Sequence, residues 1–490
     1  MFKSRVPGAI RNNLIVAKWR AEQLRMEEAE NRLCLYSDDY EEIIRETMKN
    51  LFHPDNYARL YYHVNGSQNI LKRVVNDISM VYKTEATRTL DIESDRYEAI
   101  KAEVDIDTRM KRTNRLANLL NDVIVKVGVR GGKIAYDIIT PDICTVIQSE
   151  EDPTRISGLL WMRTLVNTPD STLIEYEYMD DLGWWLVLDE KFQTKAVYYD
   201  PTTYPYRDAA GLPAMPVVAV HRQHPEVSFW DQDSGRDLYN AAVMLGVKMT
   251  QFDYLFKTAS FKQIYVIGQG VTIPSKQLSD PLTLVSISVD PQVTAEVGTL
   301  DLQADFNALV EALTFQVNTV INNYGISADM WTLSISEMSG RALKIKNRAL
   351  LEQREEQIPT YRKAESELFE KTRIVNNVHA SYMGWEKIPD QAVLEVDFAE
   401  VEFPEDPNYE IDLEAKRLKS GLISLGKFYQ TFNPDIKDEK EAERMMLENL
   451  NKLKVTREAN PTLDEALDFI LKAGKPRAGT GVGELGGGTQ

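Results

Sequence analysis

The sequence predicts an α+β chain with helical, β-rich and long-helix blocks in that order. Three observations carry this. The hydrophobic period switches from three-four spacing to strict alternation at Val123. Two long apolar stripes, 234–262 and 301–324, bracket a stretch of short β-type segments at 263–297. Beyond them lies a third long helical pattern, then an acidic stretch and further short helices.

The chain has 490 residues and a formal charge of −18, from 57 basic and 75 acidic side chains. At roughly 150 residues per domain this suggests about three domains or sub-domains. The acidic balance argues against a protein that wraps DNA by neutralising phosphates, which needs clustered Lys and Arg. Cys34 and Cys144 form no CxxC pair, so a disulfide framework is not expected and a reducing compartment is the default. No apolar run reaches the ~18–20 residues of a membrane span. No signal-type apolar core lies near the start, which predicts no secretion.

Residues 1–37 carry Lys3, Arg5, Arg11, Lys18, Arg20 and Arg25 against Glu22 in their first 25 positions. This suits a transit peptide, a basic arm, or a surface helix whose basic start meets the acidic 27–30. Residues 38–51 predict a helix through Ile43, Ile44, Thr47, Met48 and Leu51, capped by Ser37 or Asp38. Leu71, Val74, Val75 and Ile78 predict a second over 70–82. A third, over 107–122, turns Leu116, Leu119 and Leu120 inward and Arg109, Lys111, Arg112 and Arg115 outward.

Val123, Val125, Val127 and Val129 then alternate, Gly131-Gly132 supplies a turn, and Ile134, Tyr136 and Ile138 alternate again, a hairpin. Strands follow at 158–166, 172–179, 184–188 and 194–199, with a turn at Asp180–Gly183. Trp184, Trp185, Tyr176, Tyr178, Tyr198 and Tyr199 on these strands read as core and cross-strand pairs rather than a base-stacking platform.

In 234–262, Leu238, Ala242, Leu245, Met249, Phe252 and Phe256 make one stripe, widened by Tyr239, Val243, Gly246 and Leu255. In 301–324, Leu302, Phe306, Leu309, Val310, Leu313, Val317, Val320 and Ile321 keep the same spacing over roughly 30 Å. A long helix is expected from near Ser339 to about Asn377, with a kink at Pro359. The acidic stretch 395–412 and helices at 413–420, 424–432 and 438–454 follow. The Gly-rich 474–490 lacks apolar residues for a core and is expected to be disordered.

Nucleotide and metal signatures are weak. Gly481, Gly483 and Gly486 spell GxGxxG, without the strand and helix that a dinucleotide site needs. There is no GxxxxGK[ST], HExxH or GxSxG. His221, His224 and Glu226 read as a polar loop before a metal site. Asp231, Asp233 and Asp237 read as helix capping by Asp233 or Ser234 before a calcium loop. No cofactor, metal or catalytic set is expected. Arg341, Lys344 and Arg348 form one basic stripe on a helix start, with Ser339 as cap and Gly340 allowing a close neighbour.

At this point the chain resembles the portal proteins (head-to-tail connectors) of tailed bacteriophages. Four passages carry the resemblance, in the family's order, across about residues 35–455. Gly211-Leu212-Pro213-Ala214-Met215-Pro216-Val217-Val218 is similar to the strand before the first stem helix. The helix–insertion–helix block resembles stem, clip and stem. Ser339-Gly340-Arg341-Ala342-Leu343-Lys344 resembles the opening of the long helix after the stem. Leu418-Lys419-Ser420-Gly421-Leu422-Ile423-Ser424, with Asn433-Pro434-Asp435 and the acidic 438–443, resembles the C-terminal helices.

The resemblance implies an N-terminal arm or helix at 1–37 and a mixed α/β wing at 38–232. It implies long stem helices at 233–262 and 301–324, a small clip inserted at 263–300, and a channel-loop region, long helix and wing return at 325–412. A helical crown at 413–473 and the tail follow. The channel loop falls either at 323–338 or near Pro359.

As function it implies a non-enzymatic ring, usually of twelve subunits, at the portal vertex of the virion, assembled in the host cytoplasm. Double-stranded DNA passes through it in packaging and ejection. Implied partners are the terminase large subunit, the major capsid or scaffolding protein and the head–tail adaptor, with no membrane.

An acidic ring suits weak grip, because repulsion of phosphates acts over ~8 Å at physiological salt. Arg341, Lys344, Lys346 and Arg348 are then the DNA-touching candidates. Leu238, Leu245, Met249, Phe252, Phe306, Leu309, Leu313 and Val317 are the stem-packing residues. The alternatives are another neck or capsid protein of a virion, and a hydrolase with a carboxylate site in the acidic stretch.

Overall fold

A computed structural model describes residues 8–66, 68–168, 171–225, 227–231, 233–259, 263–267, 296–300, 305–327, 347–401, 414–433 and 436–459. The chain divides into two units, Met1–Met338 with Ala342–Glu402, and Ser339–Arg341 with Phe403–Gln490.

The first unit opens with helices α1 (Gly8–Ala21), α2 (Gln23–Tyr36), α3 (Glu41–Leu51), α4 (Pro54–Leu60) and α5 (Ile70–Ile78). Strand β1 (Ala86–Leu90), α6 (Asp95–Val104) and α7 (Ile106–Leu120) precede the β-rich block: β2 (Asp122–Arg130), β3 (Lys133–Ile139), β4 (Cys144–Gln148), β5 (Ile156–Thr168), β6 (Ser171–Asp180), β7 (Trp185–Leu188), β8 (Thr194–Tyr199) and β9 (Val217–His221). Helix α8 (Arg236–Ala259), the antiparallel pair β10 (Gln263–Ile267) and β11 (Glu296–Leu300), and α9 (Phe306–Asn323) follow. The 36-residue α10 (Arg348–Met383) and β12 (Leu394–Phe398) complete it. The architecture is α+β, as the alternation of periods predicts.

Local rules place most boundaries. Gly131 and Gly132 both take positive φ (58° and 74°), the geometry of a tight two-residue hairpin between β2 and β3. Asn69, Ser94 and Asp305 cap α5, α6 and α9 by accepting from the backbone N–H three residues on. The cap expected of Ser37 or Asp38 is absent. Asp38 instead adopts φ 65°, and its carboxylate takes Asn69 Nδ2 (2.8 Å) and Lys72, tying the α2–α3 turn to α5. Likewise Asp231, rather than Asp233 or Ser234, holds the turn before α8 by accepting from the Ser234 N–H (3.2 Å), while Asp233 pairs with Arg236.

Strands β4 to β8 form a five-stranded antiparallel meander, and β3-β2-β9 form a second sheet. One face of the meander packs on the second sheet through Leu159, Trp161, Met179, Ile124, Ile139 and Val217. The other face (Leu160, Tyr178, Leu186, Leu188) is covered by Ile15, Trp19 and Met26 of the N-terminal helices. Segment 13–37 is therefore anchored in the core, and Arg25 meets Glu22 and the Pro141 and Cys144 carbonyls.

The strand aromatics mostly pair as expected: Tyr176 stacks on Phe192 at 4.5 Å, and Trp185 meets Tyr199 and Tyr206. Tyr198 lies half exposed.

Strand β12 returns to pair with β1, Ala86 opposite Phe398, so the front of the acidic stretch is an edge ribbon with Glu395 and Asp397 facing water. Helix α10 runs through Pro359 without interruption, and its buried face mixes apolar residues such as Leu350, Ile358, Leu368 and Val375 with the polar Arg354, Gln357, Glu365, Thr372 and Asn376.

The second unit holds a helical stretch at 414–419 and two packed helices, α11 (Leu425–Phe432) and α12 (Glu439–Ala459), with Ser424 capping α11. The predicted Gly-rich tail and residues 268–295 lie outside the described residues.

Candidate functional site

The two helices that bracket the β10–β11 insertion stand on a polar root. Sharp turns and buried donors fix that root before any hydrophobic contact along the helices. Asn121, at φ 71° between α7 and β2, donates to the Asp231 and Ser234 carbonyls at 2.8 and 2.7 Å. Arg32 of α2 donates to the Ser234 carbonyl (3.0 Å). Arg236, in the first turn of α8, makes a two-pronged contact with Glu28 at 2.9 and 2.8 Å, and the bonded guanidinium holds the Glu28 carboxyl below its ordinary range.

Below this layer Asp122 is buried. It bonds His221 Nδ1 at 2.7 Å and accepts from the Asp231 N–H at 2.9 Å. Burial raises its carboxyl pKa against the pull of the imidazole. His221 is thus a buried structural residue rather than part of a polar loop. Among the described residues no group of three His, Cys, Asp or Glu is placed to hold a metal; Glu226 lies outside them.

The second helix joins the same root from its C-terminal end. Tyr324 donates to Asp237 of α8 at 2.6 Å, and the Arg222 guanidinium lies over its ring at 5.7 Å. The helices also meet where Phe306 contacts Phe252 (5.9 Å) and Phe256 (5.6 Å) edge-on, and Lys248 bonds Gln316.

The predicted stem stripe therefore splits. Leu238 and Leu245 are buried, with Ala242, Val243 and Val247 as neighbours in the helix. The lower part of α8 packs on α3 and α4, where Ile44, Met48 and Leu60 surround Val247. Met249, Phe252, Phe306, Leu313 and Val317 are half-buried, and Leu309 is exposed. An empty apolar groove of about 630 Å³ opens between α3–α4, α8 and α9, walled by Phe52, Leu60, Phe252, Leu255, Leu309 and Leu313.

Of the basic stripe, Arg348 begins α10, is well exposed and pairs with Glu352 at 2.7 Å. Arg341, Lys344 and Lys346 lie outside the described residues. Sequence reasoning missed Arg32, Asn121, Asp122 and Arg222. They are scattered polar positions up to two hundred residues apart, and only the fold brings them to one end of α8.

No family model matches the chain, and no curated protein matches it. Among solved structures, a chain of the "Virion of native gene transfer agent (GTA) particle" is similar. The TM-score is 0.40 at 10% identity, covering 76% of this chain and 92% of that chain.

Proposed function

We propose that this chain is a portal-type subunit of a virion, a non-enzymatic member of a closed ring that conducts double-stranded DNA. The observation that carries the reading is the unit α8, β10–β11 and α9. Two long helices, tied at one end by Tyr324–Asp237 and a polar root, frame a β insertion at the other end. With the four ordered passages of the sequence, it supports reading the block as stem and clip on a mixed α/β wing.

In this reading the insertion is the docking end for the terminase motor and later the head–tail adaptor. The wing faces capsid or scaffolding protein. No chemistry is required of the chain, because the motor supplies the work. Twelve copies at −18 each make a wall that repels phosphates, and a few exposed cations such as Arg348 touch the backbone transiently.

Native mass spectrometry with particle imaging of the purified protein tests this directly. Rings with a central channel are expected. A persistent monomer under all conditions, or nuclease or ATPase turnover by the isolated chain, contradicts the reading.

A further inference from the structure

Helix α9 leaves large apolar side chains open to water. Its 18 residues include a single charged side chain, Glu311, and only Ile321 is fully buried. Phe315 is 72% exposed and Val310 48%. Large apolar side chains left this open to water mark a surface that something covers. None of the described helices is long and apolar enough to cross a membrane.

The same chain carries a complementary surface. At 100° per residue, Leu309, Ala312, Leu313 and Gln316 point into the 630 Å³ groove, while Glu311 and Phe315 lie roughly 120° around the helix. The groove cannot take its own Phe315. Its rim is basic, with Arg59 and Lys248, whereas the Phe315 face carries the acid Glu311 one turn before the ring. Knob and groove thus match in apolarity and in sign, on different faces of one molecule.

We propose that the groove receives Phe315 of a second copy, with Glu311 of that copy set against Arg59 and Lys248. This rests on the ring reading and specifies which surfaces of neighbouring subunits mate. The contact is heterologous: each copy offers one knob and one groove. Repetition therefore closes a ring when the rotation divides a full turn, and leaves neither the groove nor Phe315 free. Aromatic anchors in apolar pockets, rimmed by opposite charges, are where interfaces concentrate their energy.

The test uses the full chain. Phe315→Ala should weaken assembly at least tenfold, read by native mass spectrometry across a dilution series, with the monomer's melting temperature unchanged. Glu311→Lys and Arg59→Glu should each weaken assembly, and the two together in one chain should restore it. Rings that form normally in all three single variants overturn the knob-and-groove contact and leave the ring reading standing. A wild-type chain that never assembles removes both. Rescue by the double charge reversal is the outcome that a merely structural role for either residue would not give.

Discussion

Tyr324 and Asp237 join the two long helices at their root. The tyrosine hydroxyl of the α9 C-terminus donates to the aspartate in the first turn of α8 at 2.6 Å. Eighty-seven residues separate them, and the whole β10–β11 insertion lies between. The bond ties both flanks of the insertion to one fixed base.

Tyr324→Phe keeps the ring and removes the bond. With Asp237 exposed, water replaces part of the loss, so the expected cost is about 1 kcal/mol. A urea-unfolding midpoint lowered without a change in slope checks it. An unchanged midpoint would show the bond to be decorative.

The buried pair Arg88–Glu365 holds α10 to β1. Arg88 Nε and Nη2 reach the two carboxylate oxygens at 2.5 and 2.9 Å, and Tyr82 donates to the same group at 2.6 Å. Glu365→Ala strands a buried guanidinium, with Asp107 as its remaining acid, and should cost about 3–5 kcal/mol. Replacing both, Arg88→Met with Glu365→Leu, should recover much of that loss. Thermal unfolding of the three proteins decides it.

Acid should loosen the root of α8 through Glu28. Its pKa is depressed below 4.5 in the folded chain, chiefly by the Arg236 hydrogen bond. The stabilisation is therefore present above the unfolded value and is lost as pH falls through the folded one. Urea midpoints measured between about pH 6 and pH 3 should fall more shallowly for Glu28→Gln than for the parent. Parallel curves would deny Glu28 this part.

Gly246 lets α8 lie close to α3. A Cβ there would collide with Ile44 Cδ1, an end of a buried side chain. Gly246→Ala should destabilise by about 1–3 kcal/mol. Adding Ile44→Val, which deletes that carbon, should return part of the loss. Failure of the pair to recover would place the strain elsewhere.

On the proposed portal-type reading, deletion of 263–300, closed by a short linker, should leave rings and abolish docking of the packaging motor. Unchanged packaging would remove the clip role from this segment.

Periodicity made the fold class, the β2–β3 hairpin, the strands β5 to β8 and the pair α8–α9 readable, because each buries apolar side chains at a fixed spacing; the first meander strand, β4, was not read. Helix α10 was readable in extent but not in partners. Arg354, Gln357, Glu365, Thr372 and Asn376 interrupt the apolar residues of its buried face, and polar residues carry no periodic signal of burial. The docking of Ile15 and Trp19 was hidden for a related reason, since basic neighbours made the segment read as a surface helix, a basic arm or a transit peptide.

The sequence by itself determined that this is an acidic α+β chain with two long apolar helices around a small insertion. Local spacing and charge are written residue by residue. Only the tertiary structure decided that half of the first stripe is spent inside the chain, that His221 is buried against Asp122, and that an open groove and an exposed Phe315 share one molecule. Each depends on which distant segments share a surface, and no local pattern encodes that.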